Sequence, residues 1–142
     1  MIFIGREEEH IKLEELERVP NHLPTPGDVR VNATVRLQQF SGSYSGVWFA
    51  RPDLDKFVDQ LSSVIETNQG AAILASMSPG EFLLEINSMK SFIEVSVQLG
   101  RQQNSDLTNK STILSGGFGI EMSGLESILI AFKSLVGPKD PS

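Results

Sequence analysis

Apolar and polar residues alternate most regularly between Asp28 and Gln38, where every second residue from Val29 to Leu37 is apolar. A period of two is the pattern of a β-strand with one buried and one exposed face. Such one-sided strands are typical of antiparallel sheets, because parallel strands are covered on both faces and are apolar throughout. The sequence therefore predicts an antiparallel sheet around this strand.

Weaker alternation predicts further strands on both sides of it. They lie at about 2–5, 10–18, 47–50, 72–77, 82–87, 93–99 and from 113 onward. Changes of phase near Glu14–Glu15 and across Gly116–Gly117 predict a β-bulge at each place. The segment 19–27 contains three prolines and is predicted to be a loop, and the serines and glycines of 41–46 predict a turn.

The period changes to 3.6 in two segments, which predicts amphipathic helices at about 52–66 and 124–136. Pro52 suits the first turn of the first helix. Ser123-Gly124-Leu125-Glu126 has the form of a capping box at the start of the second helix, and Gly137-Pro138 would end it.

Many strands with one helix in the middle and one at the end indicate an α+β fold. We expect a mostly antiparallel sheet of about seven to nine strands, and the pattern leaves open whether it curls into a sandwich or a partial barrel. Ser78-Pro79-Gly80-Glu81 predicts a type II turn inside one hairpin. Without a visible repeat or linker, the 142 residues predict one domain at 1–137 and a flexible C-terminal tail at 138–142.

Composition narrows the possible chemistry. Hydrophobic residues make up 39% of the chain, which is enough for a folded core. The chain has no cysteine, which excludes disulfides, thiolate zinc sites and iron–sulfur clusters. No glycine-rich dinucleotide or phosphate-binding motif is complete. We therefore expect no cofactor and no bound metal.

The sequence also predicts a cytoplasmic protein. Only four apolar residues precede the charged run 6–9, whereas a secretory signal needs an apolar stretch of roughly 7 to 15 residues. Unbroken apolar runs are far shorter than the roughly 20 residues that cross a bilayer. We therefore expect no membrane partner.

Acidic side chains are concentrated in two segments. The net charge of −6 argues against nucleic-acid binding, which needs a basic surface. Residues 1–20 hold six acidic and three basic side chains and residues 53–66 hold four and one, so each segment has a net charge of −3. The exposed acids of the first helix, which we call the acidic ridge, are Asp55, Asp59 and Glu66. With Glu7, Glu8 and Glu9 they are candidate docking residues for a partner with a basic surface.

Two further features have candidate roles. The segment from Gly42 to Gly46 has the glycine spacing of a nucleophile elbow, but its central residue is Tyr44 rather than serine. Tyr44 is therefore a candidate partner contact, not a nucleophile. A histidine-based mechanism would have to use His10 or His22, and no acidic residue is placed by spacing to orient either ring.

Five short segments between residues 28 and 136 carry a resemblance to a known family. They are Phe40-Ser41-Gly42-Ser43 before Val47-Trp48-Phe49, Asp53 to Phe57, Ser76 to Phe82, and Ser115 to Phe118. In this order they resemble the WapI-type immunity proteins of bacterial polymorphic toxin systems. The resemblance implies a small cytoplasmic protein that neutralises a cognate toxin, often a nuclease. Residues 1–27 have no counterpart in it.

The sequence thus favours a non-enzymatic protein-binding protein, an immunity protein that blocks a toxin by electrostatic and steric occlusion. Two alternatives stay open. One is a housekeeping assembly or interaction domain, and the other is a small enzyme that uses His10 or His22. The oligomeric state is not predicted by the sequence.

Overall fold

The computed structural model describes residues 1–102 and 111–137. Its elements are β1 (Ile2–Arg6), β2 (Glu9–Arg18), β3 (Val29–Leu37), β4 (Phe40–Phe49), α1 (Arg51–Thr67), β5 (Ala71–Ala75), β6 (Phe82–Ser88), β7 (Ile93–Gln102), β8 (Ser111–Ile120) and α2 (Leu125–Val136). The strand pairs are antiparallel, which confirms the predicted α+β class. The predicted tail at 138–142 lies outside the described residues.

The strands form two four-stranded sheets, each followed in sequence by one helix. The first sheet has the order β1-β2-β3-β4 and the second has the order β5-β6-β7-β8. The same element order therefore occurs twice, although the sequence shows no repeat. Within the described residues the two sheets stay open and form no closed barrel. We call β1 to α1 the first half and β5 to α2 the second half.

One hydrophobic core joins the two halves. The inward residues of both sheets and the apolar stripes of both helices belong to a single buried cluster. β3 and β4 contact β7 and β8, while α1 packs on β5 and α2 packs on β1. The helices meet at Phe57 and Phe132, whose ring centroids lie 4.7 Å apart in an edge-to-face arrangement. Each helix therefore covers the sheet of the other half.

The N-terminal strands follow the predicted pattern. The register of β2 against β3 shifts between Glu15 and Glu17, which confirms the bulge predicted near Glu14–Glu15. The proline-containing loop at 19–27 is confirmed as well. It is closed by a hydrogen bond in which the Val19 N–H donates to the Asp28 carbonyl oxygen at 2.9 Å.

The turn predicted at 41–46 is wrong, because β4 runs through it without a break. The chain instead reverses in a two-residue turn at Gln38–Gln39. Pairing with β3 outweighs the local turn preference, because residues 41–45 each have a partner on β3. Gly46, with φ of 94°, is the extra residue of a bulge in β4.

The bulge predicted across Gly116–Gly117 is also wrong. β7 and β8 pair in an unbroken register along this stretch. Gly116 takes an inward position, where a Cβ would lie 2.8 Å from Leu37 Cδ1, so the missing side chain makes room for Leu37. Ile113, which is out of step with the inward residues, faces away from the core and is 56% exposed.

The hairpin of β5 and β6 contains the predicted turn. The Glu81 N–H donates to the Ser78 carbonyl oxygen at 3.3 Å, and Gly80 has the positive φ, 83°, that the third position of a type II turn requires. Ser76, at the end of β5, is buried, and its hydroxyl oxygen accepts from the Phe82 N–H at 3.0 Å. Side-chain and backbone bonds therefore fix this hairpin together.

The first helix is confirmed, and the side chain of Asp28, which directly precedes β3, caps its start. Asp28 is only 4% exposed, and its carboxylate accepts a hydrogen bond from the Arg51 N–H at 2.9 Å. Pro52 lies in the first turn, as predicted. Asn68 ends the helix with φ of 52°, in the left-handed region. Among the described helices, none is both long and apolar enough to cross a membrane.

The second helix is confirmed, but its predicted capping box does not form. Helical backbone already begins in a 3₁₀ turn at Met122–Gly124, so Ser123 lies inside that turn. Its hydroxyl is 3.5 Å from a carboxylate oxygen of Glu121 and caps no helical N–H. At the other end, Arg18 of β2 donates to the carbonyl oxygens of Val136, at 2.9 Å, and Leu135.

Candidate functional site

The tightest cluster of predicted docking residues is the turn between β1 and β2, which we call the acidic turn: Glu7, Glu8 and Glu9. Two features stabilise the conformation of this turn. The His10 Nδ1–H lies 3.0 Å from the Arg6 carbonyl oxygen and 3.1 Å from that of Glu7. Gly5 has φ of 112°, a conformation that side chains disfavour, and a Cβ there would collide with the Glu9 carbonyl oxygen.

The carboxylates of the acidic turn differ from the other acids of the N-terminal segment. Glu14, Glu15 and Glu17 form ion pairs with Lys12, Arg18 and Arg30 at 3.1, 2.6 and 2.6 Å. No ion pair within the described residues includes the acidic turn, where Glu7 and Glu8 are exposed and Glu9 is half-buried. The acidic turn therefore keeps a net negative charge, which is reduced by Arg6 and Arg36, because these two arginines line a groove together with Glu8 and Glu9.

Exposed apolar side chains lie next to the acidic turn. Glu9 and Gln38 line one groove together with Phe40 and Ile113. Phe40 is 70% exposed and Ile113 is 56% exposed. We call the acidic turn together with Phe40 and Ile113 the acidic end. Exposed apolar side chains beside uncompensated charge are typical of protein-binding surfaces, whose centre is apolar and whose rim is polar.

Tyr44 lies on the same side of the molecule. It is half-buried, and its hydroxyl donates to a carboxylate oxygen of Glu81 at 3.3 Å. It lines a groove of about 580 Å³ that runs between β4 and the β7–β8 pair. This groove shares Leu114 with the groove beside Ile113. The structure thus brings Tyr44 and the acidic turn to one continuous surface.

The acidic ridge of α1 starts at the other end of the first sheet. Glu9 pairs with Leu37 at one end of β3, and α1 begins just after Phe49, which pairs with Val29 at the other end. The eight residue steps of β3 correspond to about 25 Å. Along the sheet, the start of the ridge is therefore separated from the acidic turn by the length of β3.

The ridge is also partly neutralised. The half-buried Asp55 pairs with Arg51, with 3.5 Å between Oδ1 and Nε. Asp59 and Glu66 are exposed, and so is Lys56 of the same helix. The ridge keeps two uncompensated carboxylates, without an exposed large apolar residue elsewhere on α1. Its geometry supports docking less well than that of the acidic end.

The contacts and exposure of the two histidines bear on a histidine-based mechanism. The His10 ring stacks on Phe3, with 4.7 Å between centroids, and its Nδ1 is engaged by backbone carbonyl oxygens rather than a carboxylate. His22 is exposed in the proline-containing loop. In the part of the chain that the structure describes, no group of three or more histidine, aspartate or glutamate residues is arranged to hold a metal ion.

Sequence reasoning missed Phe40 and Ile113. Ile113 carries a signal in the sequence, since it is out of step with Phe118 and Ile120, but a bulge at Gly116–Gly117 explains the same mismatch. Phe40 carries no such signal, because it borders a predicted turn.

In comparisons with known proteins, no family model, curated protein or solved structure matches the chain. The resemblance to WapI-type immunity proteins therefore stays a prediction.

Proposed function

We propose that the chain is a non-enzymatic protein-binding protein, an immunity protein that neutralises a cognate bacterial toxin with a basic surface. It acts by occluding the toxin, with the acidic end as the docking surface. The observation that carries this proposal is the acidic end itself, where exposed Ile113 and Phe40 adjoin three carboxylates that no described ion pair compensates.

The acids and the apolar residues have different tasks in this proposal. Uncompensated carboxylates attract a basic partner and raise the association rate, by roughly 10- to 1,000-fold at low salt. An apolar side chain that becomes fully buried in the complex slows dissociation. The groove beside Ile113 offers room for a side chain of the partner.

The first test is neutralisation. A toxin domain encoded by a neighbouring gene is co-expressed with the chain, and growth and complex formation are measured. We expect restored growth and a stable complex. An active toxin that the chain neither binds nor inhibits contradicts the proposal.

The second test locates the surface by two triple charge reversals that change the net charge equally. One converts Glu7, Glu8 and Glu9 to lysine, and the other converts Asp55, Asp59 and Glu66 to lysine. We expect the first to lower the association rate at least about tenfold and to abolish its salt dependence, and the second to have a much smaller effect. The opposite ranking would assign docking to the acidic ridge.

A third variant, Ile113→Asp, tests the apolar contact. We expect faster dissociation, by about 5- to 30-fold, with little change in the association rate. Ile130→Asp on α2 is the matched control, because Ile130 is also exposed, at 65%, but lies on another element.

An assembly domain is the second candidate function, and one observation favours it. β4 presents a long, uncharged edge of the first sheet. Such an edge can pair with another strand.

A further inference from the structure

β4 is an edge strand that lacks the usual protection. It forms one edge of the first sheet, spans ten residues, and contains no charged residue and no proline. By contrast, the opposite edge strand β1 has five residues, one of them Arg6. Natural sheets normally block a long free edge with charges, proline or a covering element, because it can pair with another chain.

The free stretch of this edge can be located from the hairpin geometry. The turn at Gln38–Gln39 has two residues, so Leu37 and Phe40 form a hydrogen-bonded pair. By alternation, Gly42 and Tyr44 also direct their backbone groups toward β3. The backbone N–H and C=O groups of the intervening residues therefore point away from the sheet. These residues are Ser41, Ser43 and Ser45.

The edge is closed at one end only. Beyond the bulge at Gly46, the Trp48 carbonyl oxygen accepts a hydrogen bond from the Met77 N–H at 2.8 Å. In residues 1–102 and 111–137, no backbone hydrogen bond reaches the stretch 41–45 from outside its own sheet. Three serines thus present backbone groups without a hydrogen-bond partner among the described residues, over about 13 Å of strand.

We infer that this stretch pairs with the same stretch of a second copy of the chain, antiparallel and centred on Ser43. In that register Ser43 faces Ser43, Ser41 faces Ser45, and Gly42 faces Tyr44 of the other copy. The outward backbone groups of the three serines then bond one another. The two first sheets become one continuous eight-stranded sheet with two-fold symmetry.

The sequence of β4 is complementary to itself in this register. Tyr44 meets a glycine rather than another aromatic ring, and Phe40 falls opposite Gly46, where the bulge ends regular pairing. Aromatic side chains that cover a facing glycine stabilise strand pairs. No like charges face each other, because the strand has none.

Within residues 1–102 and 111–137, the fold leaves room for the second copy. The groove of about 580 Å³ follows the free stretch from Ser41 to Ser45. Above Gly42 the groove is lined by Leu99 and Leu114, which lie 3.7 and 3.4 Å from the position a Cβ would take. Tyr44 of the second copy would cover this apolar floor. Exposed Phe40 would lose water contact at the same time.

The inference rests on the geometry of the β4 edge and not on the proposed toxin binding. Because the paired strands are antiparallel, the acidic turns of the two copies lie near opposite ends of the joined edge. A dimer would therefore keep both sets of glutamates accessible but would cover Phe40 of each acidic end, so a toxin that uses Phe40 would compete with dimerisation.

Sedimentation velocity over a range of concentrations tests the inference on the intact chain. We expect a species of twice the 15.6 kDa chain mass that dissociates on dilution. Ser43→Lys places two like charges on the two-fold axis and should weaken dimerisation at least about tenfold. Thr34→Lys is the matched control. Thr34 lies on β3 opposite Ser43, so the substitution adds the same charge away from the free edge.

Two further variants separate pairing from misfolding. Ser43→Pro removes only an N–H that points away from β3, so it should give a folded monomer with an unchanged circular dichroism spectrum. Mixing Ser43→Lys with Ser43→Glu should restore a dimer that neither forms alone. Wild-type protein that stays monomeric at all concentrations overturns the inference, as does a dimer that both Ser43→Lys and Ser43→Pro leave intact. Amides of 41–45 that become protected only on adding a toxin would assign the edge to a partner strand and overturn it equally.

Discussion

The two halves share an element order but differ in how their surfaces are stabilised. The outer face of the first sheet carries ion pairs, such as Lys12 with Glu14 and Arg30 with Glu17. The outer face of the second sheet carries mostly uncharged residues, and its two described glutamates, Glu85 and Glu94, take part in no ion pair among the described residues.

Their backbones differ as well. The first sheet has a bulge in β2 and another in β4, whereas the described pairings of the second sheet are regular. Bulges re-aim strand ends, which suits a sheet that displays a binding surface. The comparison teaches that one topology can serve two tasks: the first half supplies the acidic turn and Phe40 of the candidate binding surface, and the second half completes the core and adds Ile113 to that surface.

The helices link the two halves, and substitutions at the contact between the helices should give the largest loss of stability. Phe57→Ala and Phe132→Ala each remove one ring of the interhelical pair, and each should cost about 3 to 5 kcal/mol of unfolding free energy. Urea denaturation measures the loss, and Ile130→Ala should change it by less than about 0.5 kcal/mol. A single transition is expected, because the core is shared. Two separate transitions would show that the halves unfold independently.

Replacing a glycine should reduce stability for a different reason in each of the two sheets. Gly117→Ala would place a Cβ 2.5 Å from the Val95 carbonyl oxygen, a backbone atom that cannot move aside, and should cost about 1 to 3 kcal/mol. Gly46→Ala meets nothing closer than Arg30 at 3.8 Å, but its φ of 94° should cost about 1 kcal/mol. Gly124→Ala is the control without contacts. Equal stability of all three variants in thermal unfolding would contradict both explanations.

The residues that cap the two helices lie at different sequence distances from the helix ends that they cap. Asp28→Ala leaves the Arg51 N–H without its buried acceptor and should cost about 1 to 2 kcal/mol. Arg18→Met removes donors to the last carbonyl oxygens of α2 while keeping an apolar stem, and should cost about 1 kcal/mol. Denaturant unfolding gives both values, and amide exchange should rise at the start of α1 for the first variant. Exchange that rises at neither helix would contradict the capping roles.

The smallest effect concerns the ion pairs of the outer faces. Glu17→Gln breaks the pair with Arg30 and should cost at most about 1 kcal/mol, less at high salt. Glu85→Gln on the second sheet breaks no described pair and should be neutral or stabilising. Unfolding at low and high salt compares them. A salt-independent loss for Glu17→Gln would mean that packing, not charge, is responsible.

Local patterns alone predicted most of the fold. Strict alternation located β3, and the change to a 3.6-residue period located both helices, because these periods follow from which side of an element faces the core. The proline-glycine turn of the β5–β6 hairpin was predicted too, since its residues restrict φ without help from the rest of the chain. The sequence predicted only part of the candidate site. It indicated Glu7 to Glu9 and Tyr44 as candidate partner contacts, but it did not indicate that these residues lie on one surface.

Only the tertiary structure decided the roles of residues whose partners are distant in sequence. Gly42 and Gly116 indicate a turn and a bulge locally, yet both lie within paired strands, and at Gly116 the space that a Cβ would need is taken by Leu37. Arg18 caps a helix whose end lies 118 residues away. Exposure of Phe40 and the free edge of β4 likewise depend on what the second sheet leaves uncovered. A sequence pattern specifies which face is buried, whereas the packing of the two sheets determines what each edge and gap contacts.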